Sequence, residues 1–356
     1  MTNEANGLEL LFQNACEYKF NEFDKLLVDL EASRPIEEIW EAYLMRAQIK
    51  LYSTDETVSA DLEKIDRFNM PARFPRLSSI WRVDSPNRFI VFSNAPGELL
   101  NFLQALPQVR QKFSRWYGEQ GDITVRLIQG EIHYFLGETG KALELAEEQH
   151  HSGQKNNIDT ILNQGLQFRC YLAMCFPLKA EECMLDMIRL SQSHPECQPV
   201  YHAIRLWANL TTNWNGDSPR FYDDPSGKRM PVLEDRLEGI RMGSARTTPL
   251  EEPFVKYAES GYGNAYALRH YYMDLFHAMY WFQAGDYQQT ESYFTKLYHI
   301  AAESGIYMPL VECGEQITPL LQHVKDSSWG CSRKLIDKVI SRAEQYEKSL
   351  KAYQDA

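Results

Sequence analysis

Apolar residues recur every three or four positions along most of this chain, the period of a helix with one buried face. The pattern is clearest over residues 272–305. There Ala278 lies deep in an apolar stretch, Gly285 interrupts it seven residues later, and Thr290 and Phe294 resume helical spacing. Gly130, Gly137, Ala142 and Ala146 repeat that spacing in ITVRLIQGEIHYFLGETGKALELAEEQ. Each match predicts one helical hairpin. Two matches predict an all-α fold, a tetratricopeptide-like helical-hairpin solenoid with a right-handed superhelical course. A lone hairpin cannot bury its apolar faces, so neighbours must stack and leave a long groove open to a ligand or partner. The expected function is binding, not bond making.

Elsewhere the pattern predicts a first hairpin over residues 8–20 and 22–30, with Ala15 at the crossing, and a second over 36–52 and 56–68, with Ala47 in the same role and the STDE stretch as turn and cap. Residues 70–96 hold Pro71, Pro75, Pro86 and Pro96 and the short apolar run FIVF, which fits either a bent helix or a connector. Helical spacing returns at Gly97. A further pair, 158–176 and 179–190, flanks Pro177, and 200–212 makes another helix. The Gly-, Pro- and Asp-rich segment 213–229 and the polar break at 243–253 then interrupt the pattern. This organisation divides the chain into N-terminal helical repeats (1–212, with the irregular connector 70–96), an irregular insertion or joint (213–253), and a C-terminal repeat with closing helices (254–356). The last helix, 334–353, is amphipathic and highly charged.

Charge narrows the choice of partner. Lys plus Arg is 37 against 49 for Asp plus Glu, a formal net charge of −12, which repels a phosphate backbone, so direct nucleic-acid binding is not expected. No apolar run approaches the ~20 residues a spanning helix needs, and the start MTNEANG lacks the basic and apolar regions of a secretory signal, so a cytoplasmic protein without membrane contact is expected. The seven cysteines, Cys16, Cys170, Cys175, Cys183, Cys197, Cys313 and Cys331, are odd in number, scattered and without a CxxC pair, which fits reduced thiols in a helical core.

Catalytic signatures fail on context. GETGK at 137–141 lacks the spacing of a phosphate-binding loop, has Ala142 in place of Ser or Thr and follows no strand, so it predicts a helix–helix turn. Gly261 and Gly263 are followed by Tyr266 where a dinucleotide fingerprint needs a third glycine. Cys183, His194, Cys197 and His202 form a His/Cys cluster, but as a helix end followed by the next helix, not as ligand pairs at short fixed gaps. His150 and His151 fit a solvated helix end. No catalytic residue, metal or cofactor is assigned. An enzyme would require Glu131, His133 and another titrating group to converge in a deep pocket.

The 20 Tyr, 17 Phe and 7 Trp supply a sharper expectation. With Ala278 at the close-packed position, Tyr272, Leu275, Met279 and Phe282 should line the inner face of the superhelix, with Thr124, Leu127, Glu131 and Tyr134 as their counterparts one hairpin earlier. Flat rings beside a few polar groups suit sugars and other partly apolar molecules. Aromatics at helical spacing more often form inter-repeat core, and a register slip of one residue exchanges lining for core positions.

The order SPNRFIVFSNAPGEL, IQGEIHYFLGETGKALELA, AMYWFQAGDYQQTESYFTKLYHIAAESGIYMPLVECGEQITPLL and VISRAEQYEKSL resembles the helical-repeat sensor region of MalT-like, LuxR-type transcriptional regulators, over roughly residues 74 to 353. The segment after the final repeat, of form xPxVExGxxxxxLL, is the most specific part. In that family a nucleotide-binding STAND ATPase module precedes this region and a helix-turn-helix domain follows it. With neither expected here, the chain would be an excised sensor portion or a lone homologue. The resemblance implies effector sensing, by a small-molecule, sugar-like inducer or a regulatory protein, and a shift between resting and multimeric states that allows for a homo-oligomer. The alternative is a free-standing adaptor gripping a peptide or protein in the same groove.

Overall fold

The computed structural model describes residues 3–16, 20–51, 98–117, 119–148, 157–198 and 267–354, together with Ala60, Asp61, Glu63, Lys64, Val200, Tyr201, Ile204, Arg205 and Ala208. Among the described residues the chain is mostly helical and holds no strand. The connector at 70–96, the interruption at 213–253, and His150, His151, His202, Gly261 and Gly263 lie outside them.

Helices α1 (Asn3–Cys16), α2 (Phe20–Ser33) and α3 (Ile36–Leu51) pack on one another, with Leu11, Phe23, Leu27 and Ile39 buried. Arg46 of α3 grips Asp61 through two hydrogen bonds of 2.7 Å each, and Tyr43 donates to Glu31 at 2.7 Å. Next come α4 (Glu98–Tyr117), α5 (Glu119–Phe135), α6 (Thr139–Glu148), α7 (Asn157–Ala173) and α8 (Pro177–Ser193). The hairpins α5–α6 and α7–α8 lie side by side, because α7 packs on both α5 and α6. A third hairpin joins α9 (Ala267–Gln283) to α10 (Tyr287–Ser304). After it the chain runs through the short α11 (Met308–Glu312), a 3-10 turn (Gly314–Ile317), α12 (Thr318–Asp326) and the long α13 (Arg333–Gln354). Helix α13 returns across α7 and α8 while also packing on α11 and α12.

One turn geometry closes all three hairpins. At the first, the Gly137 amide donates to Tyr134 O at 2.8 Å and the Glu138 amide to His133 O at 2.8 Å. At the second, Cys175 donates to Leu172 O at 3.2 Å and Phe176 to Tyr171 O at 2.9 Å; at the third, Gly285 donates to Phe282 O at 3.1 Å and Asp286 to Trp281 O at 3.0 Å. This is the Schellman cap, which puts the pivotal residue in the left-handed region: φ is 74° at Gly137, 62° at Cys175 and 79° at Gly285. The GETGK stretch is therefore a helix–helix turn, and Pro177 opens α8 at its first turn, where a missing amide costs nothing. Five and nine residues past each pivot stand Ala142 and Ala146, Ala180 and Met184, and Thr290 and Phe294, all buried. At Gly130, seven before the first pivot, a Cβ would come 2.9 Å from Leu166 Cδ2, so the missing side chain is what lets α5 approach α7.

The C-terminal segment locks onto the first of these turns. The Tyr307 amide donates to Phe135 O at 3.2 Å, and Arg342 of α13 donates through Nη1 to Gly137 O at 3.0 Å. A Cβ on Gly137 would fall on the Tyr307 hydroxyl and lie 2.7 Å from Arg342 Nη1. Farther along α13, Gln345 O accepts from the Cys175 thiol at 3.5 Å, and Tyr353 meets Phe168 edge to face at 5.7 Å.

Candidate functional site

A buried polar centre forms where the three hairpins and the C-terminal segment meet. Pro309 in the first turn of α11 leads into Leu310 and Val311, whose burial draws Glu312 into the interior as well. One carboxylate oxygen of Glu312 accepts the Tyr134 hydroxyl of α5 at 2.8 Å, and the other accepts the Tyr272 hydroxyl of α9 at 2.5 Å. Arg169 of α7 is buried beside them, its guanidinium 5.0 Å from the Tyr134 ring centroid and 5.7 Å from that of Phe135. Burial opposes the charge on Arg169, but Tyr134, Glu131 and Glu312 around it raise its pKa above the ordinary guanidinium value. Burial, reinforced by Glu312, pushes the Tyr134 phenol well above its usual range, so it stays a donor. One cation, two buried carboxylates and two phenols thus bring four helices together, and removing one member would leave a buried charge uncompensated.

Of the residues expected to line a groove, Thr124, Leu127, Glu131, Tyr134, Leu275 and Met279 are all buried, at 5% exposure or less, and only Tyr272 and Phe282 are half-buried. Thr124 donates to Asp159 at 3.3 Å. Tyr134 and Tyr272 meet on Glu312, and Glu131 lies near Arg169; Glu131 and Tyr134 are fully buried there, while Tyr272 keeps part of its surface. Two central residues, Arg169 and Glu312, went unassigned from the sequence. Their signal was a charge inside an apolar run, in LQFRCYLAM and PLVEC.

Glu131 and His133 do not converge: Glu131 is buried, whereas His133 Nδ1 lies 2.7 Å from Glu138 Oε2 at the surface. His194 Nδ1 faces Asn157 Nδ2 at 2.9 Å, and Cys183 and Cys197 are buried. Among the described residues no group of three or more His, Cys, Asp or Glu is arranged to hold a metal ion. Burial pushes the Cys170 and Cys183 thiols up to about 12, which leaves them protonated and inert.

Two surface features stand out among the described residues. Around the α9–α10 turn, Tyr287 stacks on His323 of α12 with centroids 4.6 Å apart and planes at 14°. Phe282 lies 5.5 Å from His323, Trp329 meets His323 edge-on at 5.3 Å, and Phe294 backs Trp329 at 6.2 Å. Tyr287 is 52% exposed, so the ring cluster opens to solvent. The second feature is a hollow of about 330 Å³ between α6 and the end of α7, lined by Gly140, Leu143, Glu144, Glu147, Glu148 and Met174. Glu147 accepts from Tyr171 at 2.8 Å and Glu148 from Arg126 at 2.8 Å. Among the described residues no helix is long and apolar enough to cross a membrane. Comparison of the chain with protein-family models, curated proteins and solved structures returns no match.

Proposed function

We propose that the chain is a helical-repeat binding domain, its tetratricopeptide-like hairpins stacked as a right-handed solenoid, of the kind that senses effectors in MalT-like, LuxR-type regulators. Its ligand is a small, partly apolar inducer or a regulatory protein. The observation that supports this reading is the threefold recurrence of one hairpin, with the same left-handed cap and the same buried positions after it. The contact surface is the ring cluster at the α9–α10 turn. Phe282, one of the two expected groove residues that retain surface, continues there into Tyr287, His323 and Trp329. Such rings offer flat faces to partly apolar ligands.

A thermal-shift screen of the purified chain against saccharides and small amphipathic acids and amines tests the proposal. The expected result is a rise in Tm that Tyr287→Ala abolishes with helicity unchanged, since Tyr287 is mostly outside the core. A shift insensitive to Tyr287→Ala places binding elsewhere. A chain that responds to no small molecule but purifies with an equimolar protein supports the adaptor reading. The hollow favours that second reading, because Leu143 and Met174 line it together with three carboxylates, and Phe176 and Leu178, a few residues after Met174 in the chain, are 48% and 66% exposed.

A further inference from the structure

We infer that the outer surface formed by α6, the end of α7 and α8 docks a basic amphipathic helix of a partner protein, an inference that rests on the adaptor reading above and names its partner. Exposed apolar surface is concentrated here. Of the seven large apolar side chains exposed among the described residues, Phe176, Leu178 and Leu185 fall within residues 176–185, at 48%, 66% and 44% exposure. Phe176 caps the start of α8. Leu178 and Leu185, two turns apart, share the face of that helix opposite the buried Ala180, Cys183, Met184 and Met187. Helix α8 is therefore apolar on two sides, and only one of them meets the core. Two residues before Phe176, Met174 joins Leu143 in lining the hollow beside α6. Its volume of about 330 Å³ is at the lower end of the roughly 300–1,000 Å³ that ligand pockets span, room for one or two apolar side chains.

Charge decides what the partner must carry. Exposed Glu144, Glu147 and Glu148 line the hollow, and exposed Glu182 stands between Leu178 and Leu185 on their face of α8. The two sets adjoin: Tyr171 of α7 donates to Glu147 at 2.8 Å, Lys179 of α8 lies over the Tyr171 ring at 5.2 Å, and Glu147, Glu182 and Asp186 all act on the Cys183 thiol. Arg126 occupies Glu148 at 2.8 Å, and Arg189 occupies Asp186 at 2.9 Å. Among the described residues no cation reaches Glu144, Glu147 or Glu182 at ion-pair distance. A second copy of the chain, with its net charge of −12, would bring like charge to like, and a nucleic acid or an anionic membrane would be repelled as well. Lysines or arginines flanking the apolar face of a helix match both features. Exposed ion pairs hold weakly but steer and orient, so the apolar side chains carry most of the affinity.

The test is fluorescence anisotropy of the full chain with labelled peptides about five turns long: a Leu/Lys amphipathic helix, a scrambled sequence of the same composition, and a Leu/Glu counterpart. The Leu/Lys helix should bind saturably and more weakly as salt rises, and the other two should not bind. Leu178→Ser should weaken binding about tenfold or more and Glu144→Lys about fivefold, with helicity unchanged because both side chains are exposed. Tyr287→Ala, at the ring cluster, should change nothing. Equal binding of the scrambled peptide, or displacement by spermine at matched charge, would mean that the surface reads charge alone and would overturn the inference. Binding that ignores Leu178→Ser and Glu144→Lys but is lost in Tyr287→Ala leaves the chain an adaptor that grips elsewhere, and overturns this surface alone. Failure of both amphipathic peptides to bind overturns the surface and the adaptor reading together.

Discussion

Gly137 and Gly285 hold the same left-handed position in equivalent turns, at φ 74° and 79°, but in opposite surroundings. Nothing lies within 4 Å of a Cβ placed on Gly285, whereas one on Gly137 would collide with the Tyr307 hydroxyl and ring and with Arg342 Nη1. Substituting Ala at Gly285 therefore costs only the backbone term, about 1–2 kcal/mol for an L residue in that region. At Gly137 the same term is joined by overpacking. Tyr307 is 4% exposed, and its ring lies under Lys338 Nζ at 4.1 Å and Arg342 at 5.4 Å, so it has little freedom to yield. That adds about 1–3 kcal/mol, for a total of about 2–5 kcal/mol. Urea unfolding of the parent, Gly137→Ala, Gly285→Ala, Tyr307→Leu and the double variant Gly137→Ala/Tyr307→Leu measures both terms. The Gly137 penalty should exceed the Gly285 penalty by about 1–3 kcal/mol, and Tyr307→Leu should recover part of the excess as a coupling energy. Equal penalties at the two glycines would refute the docking of the C-terminal segment on the first turn.

Two further substitutions probe buried charge. Burial pushes the Asp274 carboxyl up to about 6, with Lys296 opposing only part of the shift. The folded state then holds this proton more tightly than the unfolded chain, so the group costs stability as pH rises from about 4 through 6, and the full cost persists above 6. Asp274→Asn should therefore stabilise by about 2–3 kcal/mol at pH 7.5 and by almost nothing at pH 4; thermal melts across that range check it, and a pH-independent difference would contradict it. Arg169→Met should destabilise by about 3–5 kcal/mol, because it strands Glu131 and Glu312 inside. A loss below about 1 kcal/mol in urea unfolding would mean the guanidinium is not their counter-ion.

Periodicity alone placed most of the described helices and both glycine-closed hairpins, because helical spacing and left-handed glycines leave direct marks on a sequence. The equivalence of the middle hairpin was hidden, since Cys175 stands where the others carry glycine and Phe168 fills the small position of Gly130 and Ala278. Of the residues expected on an open inner face, Tyr134 and Tyr272 do share one neighbour, Glu312, with Tyr134 fully buried and Tyr272 half-buried. Their shared partner sits on α11, and that contact joins residues far apart in the chain, which no local period encodes. Glu312 and Arg169 were legible only as charges misplaced in apolar runs. The ring cluster at the α9–α10 turn depends on where His323 and Trp329 of a later element arrive.

The distance along the chain between bonded groups sets an order of assembly. Arg342 reaches Gly137 across 205 residues, and Glu312 reaches Tyr134 across 178. On the ribosome, helices α5 to α8 emerge long before either partner, so Tyr134 and Arg169 must wait in water or in loose collapse until α11 and α13 are made. Synthesis halted ahead of α11 would release a product with these groups unmatched and the apolar faces meant for α13 bare, a natural client for chaperones and proteases.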